Sequence, residues 1–259
     1  MAAFGLQRIT AETQVRQLEY YDDVDSTNDV ALQLVAQQES CFPLLVLADR
    51  QHRGRGRGRN SWWAGPGALT FTIVWDGRAS RLPTRTWPQI SLSTALAVCD
   101  ALRKILPDQE PRLKWPNDVY LQSRKVCGIL VESSPLRPGL RLIGVGVNVN
   151  NSIRHSPPEL QATATSLIDV AARSFDRTEV LVRILQAMAS RLQQLEEESL
   201  QLPDRWRHLC MLHGRTLVLH TGTQQTVGVC QGIDDEGALL LQGDTGVQRF
   251  FSGVVARVL

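Results

Sequence analysis

The stretch Lys114-Trp-Pro-Asn-Asp-Val-Tyr-Leu-Gln-Ser-Arg-Lys125, continued as Val126-Cys-Gly-Ile-Leu-Val-Glu132, holds two of the three lysines in this chain. The third is Lys104, so arginine makes up 25 of the 28 basic residues (28 − 3). A chain this biased toward arginine keeps lysine mainly where a compact ammonium does what a planar guanidinium cannot. Lys104, on the surface of a predicted helix, tempers that argument. Trp115-Pro116 predicts extended backbone, Asn117-Asp118 a turn, and Lys125–Glu132 a strand. One reading is a plain β-hairpin. The other is a dense polar cluster between apolar strands, with Asp118 suited to Mg²⁺ or a ribose hydroxyl and Lys125 to a carboxylate or phosphate.

Working outward, Leu44–Ala48, Thr70–Trp75 and Leu140–Asn148 read as further strands. Leu92, Ala95, Leu96, Cys99, Leu102 and Leu106 share one helical face, and so do Leu181, Ile184, Leu185, Met188, Leu192 and Leu195. Ser26, three residues before Asp29, predicts a capped helix start of the capping-box type. The strands and helices do not alternate strictly, which predicts an α+β domain with a mixed sheet. After Leu202-Pro203-Asp204 the pattern changes to short β-like runs separated by turns. The expected organisation is a domain over 1–202 with its core from about 20, a linker over 203–211, and a small all-β, five-stranded barrel over 212–259. A module of that size is expected to pack on its larger neighbour.

Bulk properties exclude several classes. A net charge of +2 does not select nucleic acid as a partner, so any anion site must be local. No stretch approaches the ~20 apolar residues of a membrane span, and Met1–Gln17 has no signal-peptide pattern. The five cysteines are odd in number, widely spaced and without C-x-x-C. A zinc or redox motif is therefore not expected, no metal site is assigned to protein ligands alone, and a reducing, cytoplasmic location is.

Three other motifs carry chemistry. Arg53-Gly-Arg-Gly-Arg-Gly-Arg59 alternates residues that let backbone approach an anion with residues that donate to it. It is neither a Walker A loop nor a dinucleotide fingerprint. Flanked by apolar strands, it reads as a loop within a folded domain rather than a disordered RGG segment. Trp62 and Trp63 serve either as core aromatics or as a stacking surface for a base. Gly144-Val-Gly-Val-Asn148 places glycine inside a strand, where a ligand or another backbone approaches closely.

Taken together, the chain resembles biotin protein ligases. The resemblance rests on Ser26-Thr-Asn28, on Gln51 before Gly54-Arg-Gly-Arg57, and on Trp62. It also rests on Lys114-Trp-Pro-Asn-Asp118, Lys125 with Gly128-Ile-Leu-Val-Glu132, and Gly144–Asn148, in that order. Gly232-Ile-Asp-Asp-Glu-Gly-Ala-Leu-Leu-Leu241 resembles the family's C-terminal SH3-like domain. The resemblance covers about Tyr20 to Leu259.

It implies a catalytic domain of the biotin/lipoate ligase type that makes biotinyl-5′-AMP from biotin and ATP with Mg²⁺. The biotin then passes to one lysine of a biotin carboxyl carrier domain. By the resemblance, Ser26, Thr27, Asn28, Gln51, Arg55, Gly56, Arg57, Lys125 and Gly128 bind biotin. Arg55, Arg57, Trp62, Lys114, Asn117, Asp118, Lys125 and Asn148 bind ATP or the adenylate, and Lys125, Arg57 and Asp118 are the catalytic candidates. The loop departs from the family pattern at Gly58-Arg59-Asn60-Ser61 and at His52-Arg53. About twenty residues before Tyr20 cannot hold a three-helix DNA-binding domain, so a ligase without one is expected. No membrane partner is expected, and a homodimer is left open. The rivals are a lipoate-type ligase or acyltransferase and a non-catalytic nucleic-acid module, which would bind polynucleotide in a salt-sensitive way without turning over ATP.

Overall fold

The computed structural model describes residues 4–37, 40–77, 87–197 and 201–259. Of the expected 1–202 unit, residues 1–3, 38–39, 78–86 and 198–200 lie outside that description. A seven-stranded sheet forms the frame. Its strands in chain order are β1 (Gln17–Val24), β2 (Leu44–Gln51), β3 (Leu69–Asp76), β4 (Arg112–Lys114), β5 (Asp118–Leu121), β6 (Arg124–Ser133) and β7 (Leu140–Val147). They lie side by side as β1-β2-β3-β7-β6-β5-β4. β1 runs parallel to β2, and all other neighbours are antiparallel. The sheet is therefore mixed, as the α+β reading expects.

Alternate residues of a strand face opposite sides of its sheet. On β2, Leu45 and Leu47 join the main core with α3 (Trp87–Ile105) and α6 (Arg177–Glu196). Leu44 and Val46 join a smaller core with Ala31 and Val35 of α2 (Thr27–Gln37) on the other face. Burial on both faces is why this strand is an unbroken apolar run. α3 and α6 bury the predicted stripes against one another, and Arg191 of α6 forks onto Asp100 of α3 at 2.8 and 2.6 Å. Asp176 caps α6 by accepting the amide of Thr178 at 2.8 Å.

The second sheet is antiparallel and five-stranded, in the order β11-β10-β9-β8-β12. Its strands are β8 (Thr216–Thr221), β9 (Gln224–Ile233), β10 (Leu239–Gly243), β11 (Gly246–Phe250) and β12 (Val254–Val258). Leu217, Leu219, Cys230, Ile233, Leu239 and Leu241 belong to the same continuous core as the large sheet. The segment expected as a linker contains a helix. The short α1 (Leu6–Glu12), α4 (Pro158–Gln161) and α5 (Leu167–Ala171) precede it, and it is α7 (Leu202–Leu209), with Trp206 fully buried. Met211 then donates its amide to Leu113 O at 2.9 Å, tying the segment to edge strand β4. Pro203 at the first helical turn starts a helix as readily as it breaks one, so the sequence pattern there was ambiguous.

Two local expectations are corrected. α2 does not start on a capping box: the amide of Thr27 donates to Gln51 Oε1 at 2.8 Å, and the Asp29 carboxylate turns to Arg55 at 2.9 Å. The β4–β5 turn is Trp115–Asn117, and Asp118 opens β5.

The placing of the site follows from β7. The face beneath α2 carries Leu140 and Leu142, then Gly144 and Gly146. On β6, Leu130 lies beside Gly144 and Gly128 beside Gly146. β7 thus loses its side chains beside the N-terminus of α2, Gly128 extends the gap onto β6, and a hollow forms there with Leu130 at its edge.

Because the two sheets share one core through α7, they are expected to unfold together. Trp206→Ala should cost about 3–5 kcal/mol and lower the midpoint of one calorimetric transition. Two separated transitions in the parent protein would contradict the shared core.

Candidate active site

A cavity of about 450 Å³ opens over Gly128, Gly144 and Gly146. Its floor must be glycine. A Cβ at Gly144 would collide with Asn28 Oδ1, one at Gly146 would lie 2.6 Å from Trp62 Nε1, and one at Gly128 would press on Lys125 Nζ and the Trp62 ring at 3.2 Å. This is the close approach that glycine within a strand permits.

The start of α2 forms one wall. Ser26, Thr27 and Asn28 are buried there and line the cavity. The amide and hydroxyl of Thr27 both reach Gln51 Oε1, at 2.8 and 3.1 Å. Thr72 Oγ1 lies 2.8 Å from Thr27 Oγ1 and 2.5 Å from Asn28 Oδ1, and its one proton serves either. Asn28 Nδ2 donates to Glu132 Oε2 at 2.7 Å.

The Arg/Gly run is an ordered hairpin. Gly56 donates to Asn60 O and Trp62 to Gly54 O, each at 2.8 Å, and Gly58 sits at φ +64° in the turn. Arg55 lines the cavity, but its guanidinium is held bidentately by Glu132 at 2.8 and 2.6 Å and also meets Asp29. The Glu132 bond holds that guanidinium above its ordinary pKa. Arg57 faces the cavity without an ion pair among the described residues. Burial pulls its pKa below the arginine range, partly offset by Asp118. Arg59 is exposed and lies off the cavity wall, whereas Asn60 and Ser61 line it. His52 and Arg53 point away toward Asp23 and Asp25.

From the opposite side come Lys114, Asn117 and Asp118. Lys125 Nζ pairs with Asp118 at 2.7 Å and lies 5.8 Å from the centre of the Trp62 ring. Asn117 Nδ2 donates to Ile129 O at 2.6 Å. Lys114 stands 5.9 Å from the Tyr120 ring, whose hydroxyl is pushed up to about 12 by burial and then by Asp118. Beneath, burial raises the Cys127 thiol well above its usual range and leaves it inert. Of the four cations on the wall, Arg55 and Lys125 are paired with carboxylates. Arg57 and Lys114 have no ion-pair partner among the described residues, so the cavity favours an anionic guest.

One expected residue is not brought to the cavity. Asn148 is 3% exposed and absent from its wall. It donates to Thr165 O at 3.0 Å and accepts Asn151 Nδ2 at 2.9 Å. Thr165 in turn donates its amide to Lys125 O at 2.8 Å, so Asn148 braces the backbone of Lys125. Conversely, His220–Gly222 and Ser252–Val255 of the small sheet roof the cavity. Nothing in their sequence signals this, because a Gly-containing turn looks alike wherever it docks. Among the described residues no group of three His, Cys, Asp or Glu forms a metal cluster, and Asp118 is the one carboxylate on the cavity wall.

Comparison with known proteins fits this geometry. Residues 20–150 match the biotin/lipoate A/B protein ligase family, and residues 213–257 match the biotin protein ligase C-terminal domain. The chain is 33% identical to the biotin–[acetyl-CoA-carboxylase] ligase of Mycobacterium tuberculosis, over 91% of this chain and 86% of that one. It is 34% identical to the enzyme of the same description from Paracoccus denitrificans, over 86% and 93%. Its fold matches the biotin protein ligase from Aquifex aeolicus in complex with biotin and ATP with a TM-score of 0.80 and 29% identity, covering 92% of this chain and 97% of that one. With both segments matched and the fold shared over nearly its whole length, the chain belongs to the biotin protein ligase family.

Proposed function

We propose that this chain is the ATP-dependent ligase that joins biotin to a lysine of a biotin carboxyl carrier domain through biotinyl-5′-AMP. The observation that carries the reading is the cavity itself, with a glycine floor, a hydrogen-bonding wall at the start of α2 and two cations that have no ion-pair partner among the described residues. The catalytic unit is 1–202, joined through 203–211 to the roofing unit 212–259. Five unpaired cysteines agree with a cytoplasmic setting, and no described helix is long and apolar enough to cross a membrane.

In the first step a biotin carboxylate oxygen bonds to the α-phosphorus of ATP, and the bond to pyrophosphate breaks. The carboxylate is already ionised at neutral pH, so positioning and charge neutralisation are what the site must supply. Ser26, Thr27, Asn28 and Gln51 offer the donors and acceptors for biotin over Gly128, with Gly56 in the loop above. The stem of Arg55 completes that wall while its guanidinium stays with Glu132. Lys125 and Arg57 neutralise the carboxylate and α-phosphate, and Lys114 attends the leaving phosphates. Trp62 gives a face to the base, and Asn117 fixes the turn that presents Asp118. Mg²⁺ bound with ATP would shield the phosphates, with Asp118 as the protein carboxylate within reach. In the second step the neutral carrier lysine attacks the acyl carbon and AMP leaves. Once Lys125 turns to the adenylate, Asp118 is free to take the amine proton.

The deciding experiment is an avidin blot of purified protein with biotin, Mg·ATP and an apo carrier domain, beside reactions lacking ATP or given lipoate instead. ATP-dependent labelling by biotin is expected, and labelling with lipoate alone would favour the lipoate-type rival. Lys125→Ala should lower pyrophosphate release at least about 100-fold with the circular dichroism spectrum unchanged. Arg57→Ala should release biotinyl-AMP faster and label bystander lysines, and an unchanged off-rate would remove it from the adenylate site. Gly146→Val should displace Trp62 and abolish ATP binding by calorimetry.

A further inference from the structure

Glu132 closes the motif Gly128-Ile-Leu-Val-Glu132, yet neither chemical step above uses it. It does not line the cavity, but it sits where three elements meet. Its Oε2 accepts both Arg55 Nη2 at 2.6 Å and Asn28 Nδ2 at 2.7 Å, while Oε1 accepts Arg55 Nη1 at 2.8 Å. Through Asn28 the network continues to Thr72, Thr27 and Gln51, which form the polar wall. Gly144 leaves the space that Asn28 needs to reach this carboxylate. The Arg55 and Glu132 side chains are 37% and 25% exposed, so the pair is less screened than a surface bridge, and the fork adds direction to charge.

We infer that Glu132 is a positioning residue that tethers the Arg/Gly hairpin to the biotin wall, so that one carboxylate oxygen holds the cover in register with the pocket it covers. The inference rests on the ligase reading for its consequence but not for its geometry. Without the tether the Arg55 guanidinium keeps, among the described residues, only its Asp29 ion pair, and the hairpin is otherwise anchored at its base, where Arg53 donates its amide to Asp25 O at 2.9 Å. Arg57 then loses its fixed place over the cavity, and a bound adenylate is free to leave.

The hairpin carries its own reporter, since trypsin cuts after arginine and Arg53, Arg55, Arg57 and Arg59 lie within it. Limited trypsinolysis of the ligand-free protein should cut Glu132→Gln after Arg57 or Arg59 about tenfold faster than the parent. The off-rate of biotinyl-AMP should rise by a similar factor, and in an Arg55→Ala background Glu132→Gln should add nothing to it. Asp100→Asn, at the distant α3–α6 pair, should lower the melting midpoint and leave both readings alone. Should Glu132→Gln not fold, Arg55→Lys removes the fork from the exposed side and is expected to give the same faster cleavage. Cleavage and off-rate within twofold of the parent, or an undiminished Glu132→Gln effect in the Arg55→Ala background, would overturn the tether. If the parent releases no pyrophosphate from biotin and ATP, the ligase reading falls, and the trypsin arm still decides the tether by itself.

Discussion

The constraint on which this molecule turns is the change from leucine to glycine along one face of β7. Leu140 and Leu142 give α2 something to pack on, and Gly144 and Gly146 then remove that support. The same face is thus core for half the strand and cavity floor for the rest. The start of α2 hangs over the boundary, which is why its first residues meet ligand space instead of sheet. A helix N-terminus ordinarily exposes amides that need partners. Here Gln51, from the end of the neighbouring β2, supplies one, and the pocket wall is built from that repair.

Charge is arranged around this hollow with economy. Two cations are held by carboxylates, and two have no ion-pair partner among the described residues. The paired ones fix geometry, because a bidentate guanidinium and a buried-side ammonium cannot drift without leaving a charge uncompensated. The unpaired ones create the field that draws a polyanion. Arg57 in particular is half withdrawn from water, where its charge acts over a longer range than on an open surface.

Much of this was readable in the sequence, and the reasons differ by residue. The two long amphipathic helices and the strands declared themselves by period, and Gly144 and Gly146 by being glycine where a side chain belongs. Ser26 through Asn28, Gln51, Lys125 and Asp118 fell into one cavity because their motifs sit at strand and helix ends that the sheet gathers. Asn148 was expected on the cavity wall and is instead turned to Thr165: a polar residue at a strand end reads alike whether it faces a ligand or braces a loop. The helical state of 202–209 was hidden behind a proline that serves both uses. The roof at 220–222 and 252–255 was not legible at all, since docking between sheets is set by a shared core and not by any local pattern.

That division of the cavity between distant stretches of chain has a consequence during synthesis. The floor, the α2 wall and the Arg/Gly hairpin are all encoded before residue 150, whereas the roof is complete only at Val255. A ribosome-bound chain passes through a long interval in which the residues of the floor and walls have been made and those of the roof have not. The small sheet, joined to the large one through α7, is made after every other part of the cavity wall. A reactive mixed anhydride can be covered on every side only once residues 252–255 have been made.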